Sequence, residues 1–142
     1  MNRRFSDEGS ASVELAVLTP MLLMLLALVI AGARMVTTDL AVEHAATAAA
    51  RSASLARTPA AAHAAATRTG THALAEQNLT CAGLQLTADT RGFGQPGASG
   101  TVTVTLRCAV PLADLTGIPG LPASIPLRAV FTSPVDPYRS RS

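Results

Sequence analysis

The sequence predicts an α+β fold: a long N-terminal membrane-spanning helix that continues as a stalk, and a small antiparallel three-stranded sheet packed on a second helix. Three observations predict it. Residues 15–33 are apolar and uncharged, an alanine-rich segment follows to residue 77, and the later residues are rich in Thr, Val, Leu, Gly and Pro. We expect four parts: a leader (1–9), a membrane span (10–33), a helical stalk outside the membrane (34–77, with a break at 58–59) and a β-rich head (79–142).

The apolar run Leu15 to Ala33 contains 19 residues and no charge. As a helix it would be about 28 Å long, close to the thickness of the hydrocarbon core of a bilayer. Pro20 removes one backbone donor, which membrane helices tolerate when another group satisfies the freed carbonyl. Glu14 stands at the entrance of the run, where an ionisable group either reaches water or has a partner.

Gly9, followed five residues later by Glu14 and then by a long apolar run, resembles the processing site of type IV prepilins. The order Gly-Ser-Ala-Ser-Val-Glu-Leu-Ala over residues 9–16, followed by Pro20 and a Met/Leu block, resembles the start of the TadE-like family. These proteins are pseudopilins, or minor pilins, of tight-adherence (Flp-type) pilus systems. The resemblance covers roughly residues 8–51 and leaves the second half of the chain unassigned.

The resemblance implies that a prepilin peptidase cuts after Gly9, so that Ser10 becomes the first residue and Glu14 the fifth. It implies a role in pilus assembly or associated secretion and no enzymatic activity. The partners would be the membrane, the peptidase, other pilin or pseudopilin subunits and the assembly machinery. The chain would be a single-pass protein of the cytoplasmic membrane, with the N-terminus inside and the C-terminal domain extracytoplasmic. Arg3 and Arg4 against Arg34 give the same orientation, by a small margin.

Two alternatives remain open. Ala31-Gly32-Ala33 fits a signal-peptidase site, which would release a secreted soluble binding module beginning at Arg34. The apolar run is longer than the usual core of a signal peptide, and a signal peptide leaves Glu14 unexplained. The other alternative is a single-pass anchored protein of unknown function, an enzyme included.

Residues 34–58 lack Gly and Pro and are rich in alanine, which predicts that the helix continues beyond the membrane. Its small side chains would let other helices of an assembly approach closely. Thr58-Pro59 predicts a break followed by a new helix, because Thr is a good N-cap and Pro is favoured in the first turn. This second helix would extend to about Gln77 and be weakened at Gly70.

Three strands are predicted in the head. Residues 101–110 alternate between Thr or Arg and apolar side chains, which indicates a strand with one buried face. Residues 79–89 alternate with a shift at Gly83 that suggests a bulge. Residues 125–131 form a third strand, which Pro126 places at an edge of the sheet. The helix over 59–77 would cover the apolar face.

Cys81 and Cys108 fall on apolar positions of the first two predicted strands. A disulfide between them would close a loop of about 27 residues and contribute roughly 3–4 kcal/mol in the chain-entropy model. It requires an oxidising compartment, consistent with a head outside the membrane. The alternative is a pair of free buried thiols.

Other classes of function receive little support. A net charge of +2 gives no nucleic-acid footprint. The three histidines lack the spacing of helical metal sites, so we predict no metal ligand. The G-x-G-x-x-G match at residues 92–97 leads into a strand rather than a helix, so we predict a hairpin loop and no dinucleotide. No nucleophile has a recognisable catalytic context, and we predict no catalytic residue, no cofactor and no small-molecule substrate.

Overall fold

The computed structural model describes residues 8–93, 100–120 and 122–135, with side chains from residue 13 onward. The predicted α+β class is confirmed, with a long apolar N-terminal helix, a second helix and an antiparallel three-stranded sheet. The elements in chain order are α1 (Glu8–Ser54), α2 (Pro59–Glu76), β1 (Gln85–Asp89), β2 (Gly100–Pro111), α3 (Leu112–Thr116) and β3 (Ser124–Val135).

Helix α1 is a single 47-residue helix with Pro20 inside it. The apolar run and the alanine-rich segment are therefore one continuous rod, as predicted. The segment Val13–Ser54 is the one helix among the described residues that is long and apolar enough to cross a membrane. Hydroxyl groups along its length donate to carbonyls three or four residues earlier, for example Thr38 Oγ1 to the carbonyl of Arg34 at 2.8 Å.

Helix α2 begins where the sequence predicts. Thr58 is extended (φ −129°, ψ 153°), its hydroxyl accepts a hydrogen bond from the backbone N–H of Ala61 at 3.2 Å, and Pro59 follows in the first turn. The chain thus reverses between the two helices, and α2 folds back along α1. Gly70 is buried at their contact: a Cβ added there would lie 2.7 Å from Leu86 Cδ1 and 3.5 Å from Ala49 Cβ. The residue predicted to weaken α2 instead allows α2 to approach α1 and the sheet closely.

The sheet has the order β1-β2-β3, and both pairs are antiparallel. The predicted alternation of β2 is confirmed, because its inward side chains are at most 1% exposed and its Thr and Arg side chains face outward. Strand β3 extends four residues beyond the predicted end at Phe131, to Val135, and Pro126 lies on an edge strand as predicted. The inward residues of β2 are Val102, Val104, Leu106, Cys108 and Val110.

The first strand is shorter than predicted, since β1 begins at Gln85 rather than at residue 79. Residues 79–84 form a turn, which Asn78 (φ 53°) and Gly83 (φ 91°) allow because both adopt left-handed backbone conformations. The shift at Gly83 therefore marks a turn and not a bulge. Cys81 lies in this turn rather than on a strand, and the backbone N–H of Ala82 holds the turn to the carbonyl of Ala109 at 2.8 Å.

Helix α2 covers the sheet only in part, because residues 38–54 of α1 lie on the same face. The head of the folded chain therefore comprises the sheet, α2, α3 and residues 38–54 of α1. The alanines of α1 are buried against α2 and the sheet within this one chain, so the prediction that they pack against helices of other subunits is wrong. An alanine-rich face lets another element of structure approach the helix closely, but the sequence does not show which element this is. The fully buried alanines are Ala45, Ala46, Ala49, Ala50 and Ala53.

The β1–β2 connection begins at Thr90, and its two described ends lie side by side. A Cβ at Gly92 would overlap the backbone of Thr101, and one at Gly100 would overlap the carbonyl of Gly92. This close approach and the antiparallel pairing of β1 with β2 agree with the predicted hairpin. Residues 94–97, the remainder of the G-x-G-x-x-G match, lie outside the described residues.

Candidate functional site

The apolar half of α1 has no packing partner within the described part of the chain. Its large side chains remain about half to three-quarters exposed, from Ile30 at 49% to Met24 at 77%. A depression of about 830 Å³ there is the open side of this helix and is lined by Leu15, Leu22, Leu28 and their neighbours. Such a surface is stable only against lipid or against other helices.

The residues predicted to form the processing site lie in the first two turns of α1. Gly9 and Ser10 are its second and third residues, and their side chains lie outside the described set. Glu14 is exposed, and the described residues give it neither an ion pair nor a side-chain hydrogen bond. The structure therefore places an exposed carboxylate at the entrance of the apolar surface.

Pro20 leaves one carbonyl of α1 without its intrahelical donor, that of Ala16 four residues earlier. The neighbouring hydroxyl does not replace it, because Thr19 Oγ1 donates to the carbonyl of Leu15 at 2.6 Å. In hydrocarbon an unpaired carbonyl costs several kcal/mol. The carbonyl of Ala16 therefore needs a hydrogen-bond donor from outside the helix. It lies near the start of the apolar run, two residues after Glu14.

Cys81 and Cys108 form a disulfide, with Cα atoms 5.2 Å apart, so the predicted bridge is supported. Cys108 is 1% exposed in the centre of the sheet, and Cys81 brings the turn after α2 against it. The bridge therefore joins the end of the helical hairpin to the central strand.

The three histidines, which are not predicted to bind a metal, are all exposed on α1 and α2. His72 Nδ1 lies 3.6 Å from Glu76 Oε1, one turn along α2, a contact that attracts only when the imidazole is protonated. Within residues 13–93, 100–120 and 122–135, no three His, Cys, Asp or Glu side chains come together as metal ligands would.

Arg34 enters the predicted orientation as a charge, and the structure also gives its side chain a contact with the head. Its Nη1 donates to the carbonyl of Asp114 in α3 at 3.4 Å. Neither α3 nor this contact was predicted, because a five-residue helix carries no periodicity and its partner is 80 residues away.

Comparison with known protein families gives one match, which lies on helix α1. The model of the TadE-like protein family matches residues 9–51. The chain therefore carries a TadE-like segment. The match begins at Gly9, includes the apolar run and ends inside the buried half of α1. No curated protein and no solved structure matches the chain.

The TadE-like segment spans under a third of the chain and leaves α2 and the sheet without a relative. Together with the one helix among the described residues that is long enough to cross a membrane, it supports a single-pass protein related to pilus assembly. The family is of the pilin type and is generally not enzymatic.

Proposed function

We propose that this protein is a TadE-like pseudopilin: a single-pass membrane protein that a prepilin peptidase cuts after Gly9 and that takes part in pilus assembly or associated secretion. The observation that carries the proposal is the family match, which begins at the proposed cleavage residue and contains both Glu14 and the apolar run. The leader (1–9) and the N-terminus lie in the cytoplasm, the span is residues 10–33, and residues 34–142 are extracytoplasmic.

The position of Gly9 suits proteolysis. The first four N–H groups of a helix have no intrahelical partner, so its first turn opens at little cost. Gly9 is the second residue of α1, and the bond to Ser10 therefore lies in this labile turn. Glycine has no Cβ, which lets a narrow active site admit the extended backbone on both sides of the bond.

Cleavage after Gly9 creates a cationic partner for the Glu14 carboxylate. The new amine of Ser10 is a cation four residues before a carboxylate that has no partner among the described residues. At the membrane edge the low dielectric strengthens their attraction, and either charge left alone is costly. The carboxylate pairs with the amine of its own chain or of an adjacent subunit and fixes the register between their helices.

Subunits of the assembly meet through the apolar half of α1. The alanine face of α1 is used inside the head, whereas the surface from residue 13 to residue 30 is exposed throughout. The unpaired carbonyl of Ala16 and the carboxylate of Glu14 lie on this surface and add polar contacts that lipid cannot offer. The disulfide is consistent with an extracytoplasmic head.

The decisive experiment is the intact mass of the protein isolated from its native host, measured separately in membrane and medium. A mature chain beginning at Ser10 in the membrane is expected. A chain beginning at Arg34 in the medium would replace this function with a secreted binding module, and an uncut chain would leave an anchored protein without prepilin processing.

Two substitutions separate processing from assembly. Gly9→Leu should block cleavage and leave a full-length band in the membrane. Glu14→Ala should leave insertion intact and reduce pilus formation, while Glu43→Ala, which removes an exposed carboxylate of α1 outside the span, serves as the matched control. Normal pili with Glu14→Ala would remove Glu14 from the mechanism without touching the cleavage result.

A further inference from the structure

The head has a membrane end and a distal end, and the packing of α1 tells them apart. Val42 and Ala46 pack in one core cluster with Leu106, Cys108 and Val110, whereas Ala49 and Ala53 pack with Val102 and Val104. Strand β2 therefore runs antiparallel to α1. Its C-terminal end, and with it the β2–β3 connection, lies at the end of the head nearest the apolar run.

The contacts of Arg34 show that this connection lies close to the end of the apolar run. It is the first charged residue after the apolar run, and it donates to the carbonyl of Asp114. Gly117, which ends α3 in a left-handed conformation (φ 71°), is close enough that an added Cβ would lie 3.6 Å from Arg34 Nη1. Thr38, where α1 enters the core, is only about 6 Å further along the helix.

The turn after Gly117 presents apolar side chains to the outside. Ile118 is 58% exposed, and Pro119 and Pro122 are exposed beside it. A hydrogen bond from the N–H of Leu112 to the carbonyl of Ala123 at 2.7 Å holds the two ends of the connection together. The sequence from residue 115 to residue 127 has no charged side chain.

We propose that the turn bearing Ile118, Pro119 and Pro122 is a lipid-contacting foot that seats the head on the bilayer surface. The proposal rests on the proposed function in one respect, that α1 is anchored in a membrane. The observations that favour lipid as the partner are the closeness of this turn to Arg34, at the end of the apolar run, and the absence of charged residues from 115 to 127. Ile118 enters the boundary between head groups and acyl chains, while the Arg34 guanidinium stays at the level of the head groups, where arginine side chains are favourable.

The chain contains no tryptophan, so a single introduced indole reports its own surroundings. Three full-length variants are reconstituted in phosphatidylcholine vesicles, with and without bromine on the acyl chains. Ile118→Trp tests the foot. Val130→Trp is the matched control, because Val130 is similarly exposed (51%) and lies on β3 about 20 Å from its membrane end. Leu25→Trp, in the middle of the apolar run, reports whether the chain is inserted.

Emission from Ile118→Trp should shift to the blue in vesicles and lose intensity with brominated lipid, as Leu25→Trp does, while Val130→Trp stays unshifted and unquenched. If Leu25→Trp is quenched and Ile118→Trp is not, the foot is refuted and the proposed function is untouched. Equal quenching of Ile118→Trp and Val130→Trp would show general adsorption of the head and would also refute the foot. An unquenched Leu25→Trp would overturn membrane anchoring, and the foot with it.

Discussion

Replacing Cys81 with alanine should lower the free energy of unfolding of the head by about 3.5 kcal/mol. The bridge joins residues 27 apart in sequence, and the chain-entropy model converts a loop of that size to about 3.5 kcal/mol at 25 °C. Cys81 is the better partner to replace because it lies in a half-buried turn, whereas Cys108 is fully buried. The substitution opens the loop and leaves the packing at Cys108 in place.

Urea-dependent pulse proteolysis of the full chain in detergent measures the change, since thermolysin cleaves an unfolded head much faster than a folded one. For a domain of this size an m value of about 1.5 kcal/mol/M converts the predicted loss to a decrease of roughly 2 M in the urea midpoint. Wild-type protein treated with a reductant should show the same decrease, and the reductant should have no effect on Cys81→Ala.

A decrease of less than about 0.5 M would refute the reasoning, because the bridge would then contribute well under 1 kcal/mol. The stability of the head would have to come from aliphatic packing alone. A decrease seen for Cys81→Ala and absent from the reduced wild type would assign the effect to the alanine and not to the bridge.

The same assay tests the packing and the buried polar pair. Gly70→Val should lower the free energy of unfolding by about 1–3 kcal/mol because it overfills the contact between α2, α1 and the sheet, with a smaller loss for Gly70→Ala. Ser133 Oγ donates to Ser54 Oγ at 3.2 Å in a buried site, so Ser54→Ala should cost about 1–3 kcal/mol and adding Ser133→Ala should recover part of it. The Arg91 guanidinium lowers the pKa of Asp89 from its ordinary 3.8 to about 2. The stabilisation from this exposed pair is therefore present above pH 3.8 and lost as the pH falls towards 2. Arg91→Gln should raise the carboxyl pKa in an NMR titration and reduce that pH dependence, while the backbone N–H of residue 91 still donates to the carboxylate.

The parts of the fold that local patterns determine could be predicted from the sequence. The apolar run and the alanine-rich segment specify α1, Thr58-Pro59 specifies the start of α2, and the alternation of residues 101–110 specifies β2. Each signal is a property of neighbouring residues, namely propensity, capping and the period of hydrophobicity. The proposed cleavage site also comes from a local pattern, the spacing of Gly9 and Glu14.

The parts that depend on distant neighbours could not be predicted. Leu79, Cys81 and Leu84 are apolar because they close the core from a turn, which in sequence looks like a strand. Alanines in α1 signal a close neighbour, and only the folded chain shows that this neighbour is α2 and the sheet. Gly70 has the low helix propensity that predicts weakness, although its lack of a Cβ is what the packing requires.

Because α1 passes from the span into the core of the head without a linker, the head cannot turn independently of its anchor. Pro20 is the point where the helix lacks a hydrogen bond and bends most easily. From Pro20 to Ser54 the helix is a lever about 51 Å long, so a change of about 10° in the bend would move the distal end of the head by about 9 Å. Small rearrangements near the N-terminal end of α1 would thereby be converted into large displacements of the head.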